Sequence, residues 1–405
     1  MKILFLNNFY YLRGGSERVL FEEMRLLRGA GHETAIYARA HEKNEPAEFQ
    51  EFFPAHLDLE STGISLKTAR TARELIYSGA SRRGLREVLA RFKPDIVHAH
   101  NIYGRLTLSV LDELKASGIP VVMTLHDLKL LCPSYLMLNA GKPCERCRGH
   151  RYYHALFSRC HRGSYPASLV YALESSFNHL FGKYHSVRRF IAPSRFLQGK
   201  CAAYGWDRER FVTIPNSIGS PRGPLEEGRG EYLLYFGRLS REKGVGTLLK
   251  ACRALESPVP LLIVGEGPER AALEREAHGL PVSFAGYLSG SALSDALKGS
   301  RLVVIPSECY ENAPLSLLEA LAAGKPVLGA RIGGIPELID DGENGFLFEP
   351  GDASSLAEVL NRFLALPDKV AAALGASARV RAERDYSEQR HLAALLELYR
   401  QVLSL

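Results

Sequence analysis

The chain has 405 residues and a mass of 44.8 kDa, with 46% apolar and 24% charged residues; these values exclude a disordered or fibrous chain and predict two domains, or at most three. The net charge of +6 is uneven: residues 1–200 carry 29 Lys and Arg against 18 Asp and Glu, and residues 201–405 carry 22 against 27. No apolar run approaches the ~18 residues of a membrane-spanning helix, and Met1-Lys2-Ile3-Leu4-Phe5-Leu6 is too short for a secretory signal, so a cytoplasmic protein is expected.

In chain order, residues 2–6 predict a buried strand and residues 17–28 a helix, with Val19, Leu20, Met24 and Leu27 at helical spacing. Between them lies Tyr11-Leu12-Arg13-Gly14-Gly15-Ser16-Glu17. Gly14 and Gly15 there let backbone amides approach a phosphate, or simply make a tight turn. Further strands are predicted at 34–37, 95–98, 121–125 and 190–192. His98, His100 and His126 fall at strand ends, where a histidine can meet a sugar hydroxyl or sit satisfied in the core, the reading preferred for His98.

Four of the seven cysteines crowd one segment with spacing Cys132-x11-Cys144-x2-Cys147-x12-Cys160. In a reducing compartment this spacing suits one structural zinc ion, with free thiols or a redox pair as the alternatives. Residues 151–200 then hold eight basic side chains and one acid, Glu174. Such a stretch fits an anionic partner, whether phosphorylated substrate, lipid or nucleic acid, or a merely solvated basic surface.

Gly219 to Gly230 is rich in Gly and Pro and reads as a linker. Beyond it the alternation restarts, with strands predicted at 232–236, 261–264, 282–284, 302–305 and 326–328. Helical patterns lie at 246–255, 269–277 and 315–323. Repeated strand-helix units predict parallel sheets covered on both faces. Two loops at strand ends carry charge. Gly237-Arg238-Leu239-Ser240-Arg241-Glu242-Lys243-Gly244 places Arg238 and Lys243 where they can converge on a diphosphate. Pro306 to Ala320 contains Glu311, Ala313, Pro314, Leu315 and Glu319, with a helix starting near Pro314 and offering free N–H groups to an anion. Taken singly, Glu311 also reads as a solvated loop acid and Glu319 as a surface residue. Gly-x-Gly-x-x-Gly after the first strand, a P-loop and Asp-x-Asp are all absent, which argues against nicotinamide binding, ATPase chemistry and a metal-bridged diphosphate.

These pieces fall in an order that resembles family 4 of the retaining GT-B glycosyltransferases: Gly237-Arg238-Leu239 with Lys243-Gly244, Val264-Gly265-Glu266-Gly267, Pro306-Ser307 with Glu311-x7-Glu319, Gly324-Lys325-Pro326-Val327, Gly333-Gly334-Ile335-Pro336-Glu337 and Asp341-Gly342-Glu343-Asn344-Gly345. Arg13-Gly14-Gly15-Ser16-Glu17 and Ile214-Pro215-Asn216 also fit. The resemblance implies an α/β chain of two doubly wound Rossmann-like domains facing across a cleft. One comprises residues 1–210, with a Cys-rich insertion at about 130–163 and a returning C-terminal helix at 386–405; the other comprises residues 211–385.

The resemblance further implies a UDP- or GDP-sugar donor, a glycan or lipid-linked acceptor and a role in surface polysaccharide synthesis, with no catalytic cofactor or metal. Arg238 and Lys243 would neutralise the diphosphate, Glu319 would hold the ribose, and Glu311 with amides near Ala313, Pro314 and Leu315 would meet the sugar. Gly14 and Gly15 would approach the phosphates, and His126 would touch the donor sugar. The basic half predicts peripheral contact with the inner face of a membrane. Two other readings are a zinc-bearing nucleic-acid-binding protein and a GT-B nucleotide-sugar epimerase; the motif order after residue 230 argues against the first, and Glu311-x7-Glu319 against the second.

Overall fold

The computed structural model describes residues 1–57, 66–161, 163–219 and 230–404. Most of the predicted linker, residues 220–229, lies outside them. The chain forms two compact units. The first comprises Met1–Asn139, Cys144–Ile214 and Leu392–Leu405; the second comprises Ala140–Pro143 and Pro215–His391. The main boundaries therefore fall after Ile214 and His391, a few residues beyond those expected.

The first unit is built on β1 (Lys2–Leu6), β2 (Glu33–Tyr37), β3 (Ile96–Ala99), β4 (Val121–Thr124), β5 (Val187–Ala192) and β6 (Phe211–Thr213). They form a parallel sheet in the order β2-β1-β3-β4-β5-β6. Ile3, Leu4, Phe5 and Leu6 are fully buried. This is what an unbroken apolar run gives when helices cover both faces of a parallel sheet, and each such side chain contributes about 1.5–3 kcal/mol. The helix Gly15–Gly29 buries Val19, Leu20, Glu23, Met24 and Leu27. From the C-terminal helix Glu388–Leu403, Leu395, Leu398, Tyr399 and Val402 are buried.

The second unit is built on β7 (Tyr232–Phe236), β8 (Leu261–Val264), β9 (Val282–Gly286), β10 (Ser300–Ile305), β11 (Val327–Ala330) and β12 (Gly345–Phe348). Its parallel order is β9-β8-β7-β10-β11-β12. In doubly wound sheets, ligands bind beyond the carboxyl ends of the strands where the order reverses. Those points lie between β1 and β3 in the first unit and between β7 and β10 in the second. The glycine pair and two of the three histidines fall at one, the Arg238 and Glu311 loops at the other.

Candidate active site

In the second unit, the loop after β7 turns through the short 3-10 segment Arg241–Lys243 and is capped by Gly244 at φ 70°. A Cβ at Gly244 would overlap the carbonyl of Pro306, at the end of β10. Glycine at this left-handed position lets the two loops touch. Their contact sets Lys243 beside Glu311: Lys243 Nζ lies 2.6 Å from Glu311 Oε1, and Ser307 Oγ donates to the same oxygen at 2.7 Å. The Glu311 side chain is 13% exposed. It is a half-buried, paired carboxylate rather than the solvated loop acid its sequence context allowed. Burial opposes its ionisation, but the ammonium of Lys243 and the hydroxyl of Ser307 outweigh that and hold its pKa below the usual value. Burial likewise opposes the charge on Lys243, and Glu311 overcomes it and raises the pKa.

The backbone of Glu311 rests on Gly333, whose φ is 63°, and the amide of Gly334 donates to the Glu311 carbonyl at 2.7 Å. The double glycine of the 333–337 motif is thus a seat for the acidic loop. Asn216 Nδ2 donates to the carbonyl of Ala313 at 3.2 Å and fixes the approach to the next helix. That helix spans Leu315–Ala322; Pro314 is its N-cap rather than its first helical residue, and no side chain caps it. Its first turn has no acid, leaving its positive end available to an anion. Leu315 and Glu319 are half-buried, and Arg238 is exposed. Ser307 and Asn216 stand in motifs visible in the sequence, but their roles appear only through these contacts.

In the first unit, Gly14 and Gly15 are exposed after β1, and Gly14 is the N-cap of Gly15–Gly29 without a side-chain cap. His98 lies inside β3 rather than at its end. Its Nδ1 pairs with Tyr399 Oη at 2.8 Å and its Nε2 with Thr124 Oγ1 at 2.7 Å, so it is a satisfied core residue. His100 and His126 meet beyond the carboxyl ends of β3 and β4, Nδ1 to Nε2 at 2.8 Å. The buried carboxylate of Glu23 lies 3.2 Å from His100 Nε2. A carboxylate beside Nε2 favours the proton on that nitrogen. His100 Nδ1 then accepts from His126 Nε2–H, and His126 keeps Nδ1 as a free acceptor. An acid among Leu20, Met24 and Leu27 on a helix face is the signal in the sequence that would have revealed Glu23.

Among the described residues, Glu23, His98 and His100 are the group that brings three candidate metal-ligand atoms within 4.8 Å of one another. Both nitrogens of His98 and Nδ1 of His100 are already committed to side-chain hydrogen bonds, so this cluster reads as a polar network. Burial, helped by His100, pushes the pKa of His126 down to about 3, against the pull of Glu23. Histidine 15N shifts are therefore expected to report a neutral His126 with the proton on Nε2 throughout pH 5–8. A titration of His126 near its ordinary value of about 6.5 would contradict this arrangement.

The four clustered cysteines line one small cavity in the first unit. Cys132 and Cys147 are buried, Cys144 and Cys160 half-buried, and all are free thiols. Cys201, Cys252 and Cys309 are buried elsewhere. Nearby, the helices Tyr153–Phe157 and Tyr165–Leu180 present an apolar surface. Of 13 exposed large hydrophobic side chains among the described residues, seven lie here: Tyr153, Phe157, Tyr165, Leu169, Leu173, Leu180 and Phe181. Tyr165, Leu169 and Leu173 repeat every four residues along one helix face. Arg159 stacks over the ring of Tyr165 at 4.3 Å, and Arg148, Arg151 and Arg188 are exposed. Glu174, on the same helix, turns inward and pairs with buried Lys129 at 2.5 Å, so the acid is withdrawn from the surface.

Comparison with known proteins decides the family. Residues 13–219 match the family model described as Glycosyltransferase Family 4, and residues 221–381 match Glycosyl transferases group 1. The chain belongs to glycosyltransferase family 4. It is 30% identical over 280 residues to the sulfoquinovosyl transferase SQD2 of Arabidopsis thaliana, covering 68% of this chain and 51% of that one. It thus spans about half the length of that relative. It is 27% identical over 356 residues to WcaL of Escherichia coli (strain K12), assigned to colanic acid biosynthesis, covering 83% and 80% of the two chains. HepE of Anabaena, solved in complex with UDP-glucose, superposes with a TM-score of 0.68 at 20% identity, covering 99% of this chain and 100% of that one. This family 4 glycosyltransferase accordingly has the GT-B fold, with two Rossmann-like units.

Proposed function

We propose that the protein is a retaining glycosyltransferase that moves a sugar from a nucleoside-diphosphate sugar to a glycan or lipid-linked acceptor in surface polysaccharide assembly. The observation that carries this reading is the Lys243–Glu311–Ser307 cluster beside the uncapped helix Leu315–Ala322, at the switch point of the second sheet. Breaking the bond to the sugar leaves negative charge on the departing diphosphate. Fixed positive potential from Lys243, Arg238 and the helix start stabilises that charge as it develops. Glu319 holds the ribose hydroxyls, and Glu311 and the amides near Ala313 face the sugar. UDP in the HepE complex and the colanic acid assignment of WcaL support the donor class and the pathway class. Both family models describe glycosyltransferases, so we set aside the nucleic-acid-binding and epimerase readings.

A screen of UDP- and GDP-sugars for thermal stabilisation and nucleotide release tests the donor, and NMR of the glycoside product tests the stereochemistry. An inverted product, or no response to any nucleotide sugar, would overturn the proposal.

We further propose that the acceptor is met at an anionic membrane surface. No described helix is long and apolar enough to cross a membrane. The stripe of Tyr165, Leu169 and Leu173, with Phe157, Leu180 and Arg159, in a segment with eight basic residues and one acid, combines the apolar face and positive charge that anionic bilayers attract. Sedimentation with phosphatidylglycerol vesicles is expected to capture the protein and to fall at least ~10-fold in a Leu169→Glu/Leu173→Glu variant that retains nucleotide binding. Equal partitioning of both proteins would reject the contact.

A further inference from the structure

We infer that Cys132, Cys144, Cys147 and Cys160 form a structural zinc site within the first unit, a reading independent of sugar transfer. Spread over the segment 132–160, the four residues border one cavity of about 10 Å³, room for a single water-sized particle. Backbone hydrogen bonds hold them there. Cys132 N donates to Leu128 O at 2.9 Å, Cys144 N to Met137 O at 2.7 Å and Cys160 N to Ala155 O at 3.0 Å. Cys144 and Cys147 form a two-residue knuckle that runs into the 3-10 turn Arg148–His150.

The segment carries one small apolar cluster of its own: Cys147, Tyr152, Ala155 and Ala172, with Cys160 packed against it. Five non-glycine residues, Tyr135, Met137, Ala140, His150 and Arg159, take positive φ here, against two in the rest of the described chain. Left-handed backbone at non-glycine residues costs free energy that the surroundings must offset, and a bound metal would contribute to that. No disulfide joins the sulfurs.

Four converging thiols select zinc among common divalent ions, since thiolate is a soft donor and zinc accepts four in a tetrahedron. The sulfurs line the cavity more loosely than the Glu23–His98–His100 atoms meet, so binding would draw them inward, toward about 2.3 Å from the metal. Four thiolates around a divalent ion leave two negative charges. Arg146, which lines the cavity, and exposed Arg148 and Arg151 are placed to balance them.

Full-length protein purified without added zinc or chelator is expected to carry about one equivalent of zinc by elemental analysis. Cobalt added after chelation is expected to give the visible bands of a tetrahedral ion together with sulfur-to-cobalt charge transfer. Cys144→Ser/Cys147→Ser should lose the whole equivalent, and Cys201→Ser should keep it. If the double variant fails to fold, the wild-type cobalt spectrum still decides. Below about 0.1 equivalent of any transition metal with no cobalt–thiolate bands, or a disulfide among these residues by mass spectrometry, would overturn the site.

Discussion

Replacing Lys243 with Met is expected to slow sugar transfer about 10²–10³-fold, the range seen when one fixed donor to a developing negative charge is lost. It also leaves the half-buried Glu311 without its cation, which costs less than the ~3–5 kcal/mol typical of breaking a fully buried pair. The two effects separate by pH. In the wild type the folded pKa of Glu311 is depressed. Its pairing therefore stabilises the fold above the unfolded carboxylate value, and that contribution is lost as pH falls through the folded value. The folded pKa of Lys243 is raised, so its share is present below the unfolded lysine value and is lost as pH rises through the folded one. The pair is intact across neutrality. In Lys243→Met only burial and Ser307 act on Glu311, and burial favours the neutral acid. Acidification below about pH 4.5 should then destabilise the wild type, whereas the variant should gain stability as pH falls. Lys243→Met/Glu311→Gln should recover most of the stability and little of the turnover. Thermal melts from pH 4 to 8, with nucleotide release measured on the same samples, check both. Parallel acid responses of wild type and variant would contradict the pairing.

The second large effect is expected at Glu174. Glu174→Gln should destabilise the first unit by about 3–5 kcal/mol, because Lys129 would keep a charge that is 4% exposed and lose its carboxylate. Lys129 Nζ also donates to the carbonyl of Pro133 at 2.9 Å, one residue after Cys132. The pair thus ties the helix Tyr165–Leu180 to the start of the cysteine segment. Lys129→Met/Glu174→Leu should be far less destabilised than either single change, since two apolar side chains replace two buried charges. Hydrogen exchange would locate the loss. Amides of Tyr165–Leu180 should exchange faster in Glu174→Gln while those of β7 and β10 stay protected. A single-variant loss below about 1 kcal/mol would place the pair among interactions of surface strength.

The parallel sheets are legible in the sequence because strands buried on both faces appear as unbroken apolar runs, as in Leu261–Val264 and at Val303-Val304-Ile305. Two strands escape that signal. Phe211–Thr213 is three residues long, and Gly345–Phe348 follows directly on Asp341-Gly342-Glu343-Asn344, which reads as a turn. The charged loops are legible too, because they follow strands and precede helices. The pairing of Lys243 with Glu311 is not, since β7 and β10 are neighbours in the sheet but have two other strands between them in the chain. Pairing also changes the meaning of the residues: Glu311 in isolation reads as a solvated loop acid and proves to be the half-buried partner of Lys243, while Glu174 proves to be the buried partner of Lys129. The four clustered cysteines are legible from their spacing, and the fold adds that they line one cavity.

The first unit is discontinuous in the chain, and this has a consequence for synthesis. Leu395, Leu398 and Tyr399 complete its core, and Tyr399 holds His98 through a hydrogen bond that bridges 301 residues of sequence. On the ribosome, Pro215–His391 has all of its strands before the last helix emerges. The unit begun first is therefore the last to close. While translation proceeds, the half-finished first unit must wait with part of its apolar interior uncovered, an interval in which a nascent chain is most open to chaperones and to misassembly.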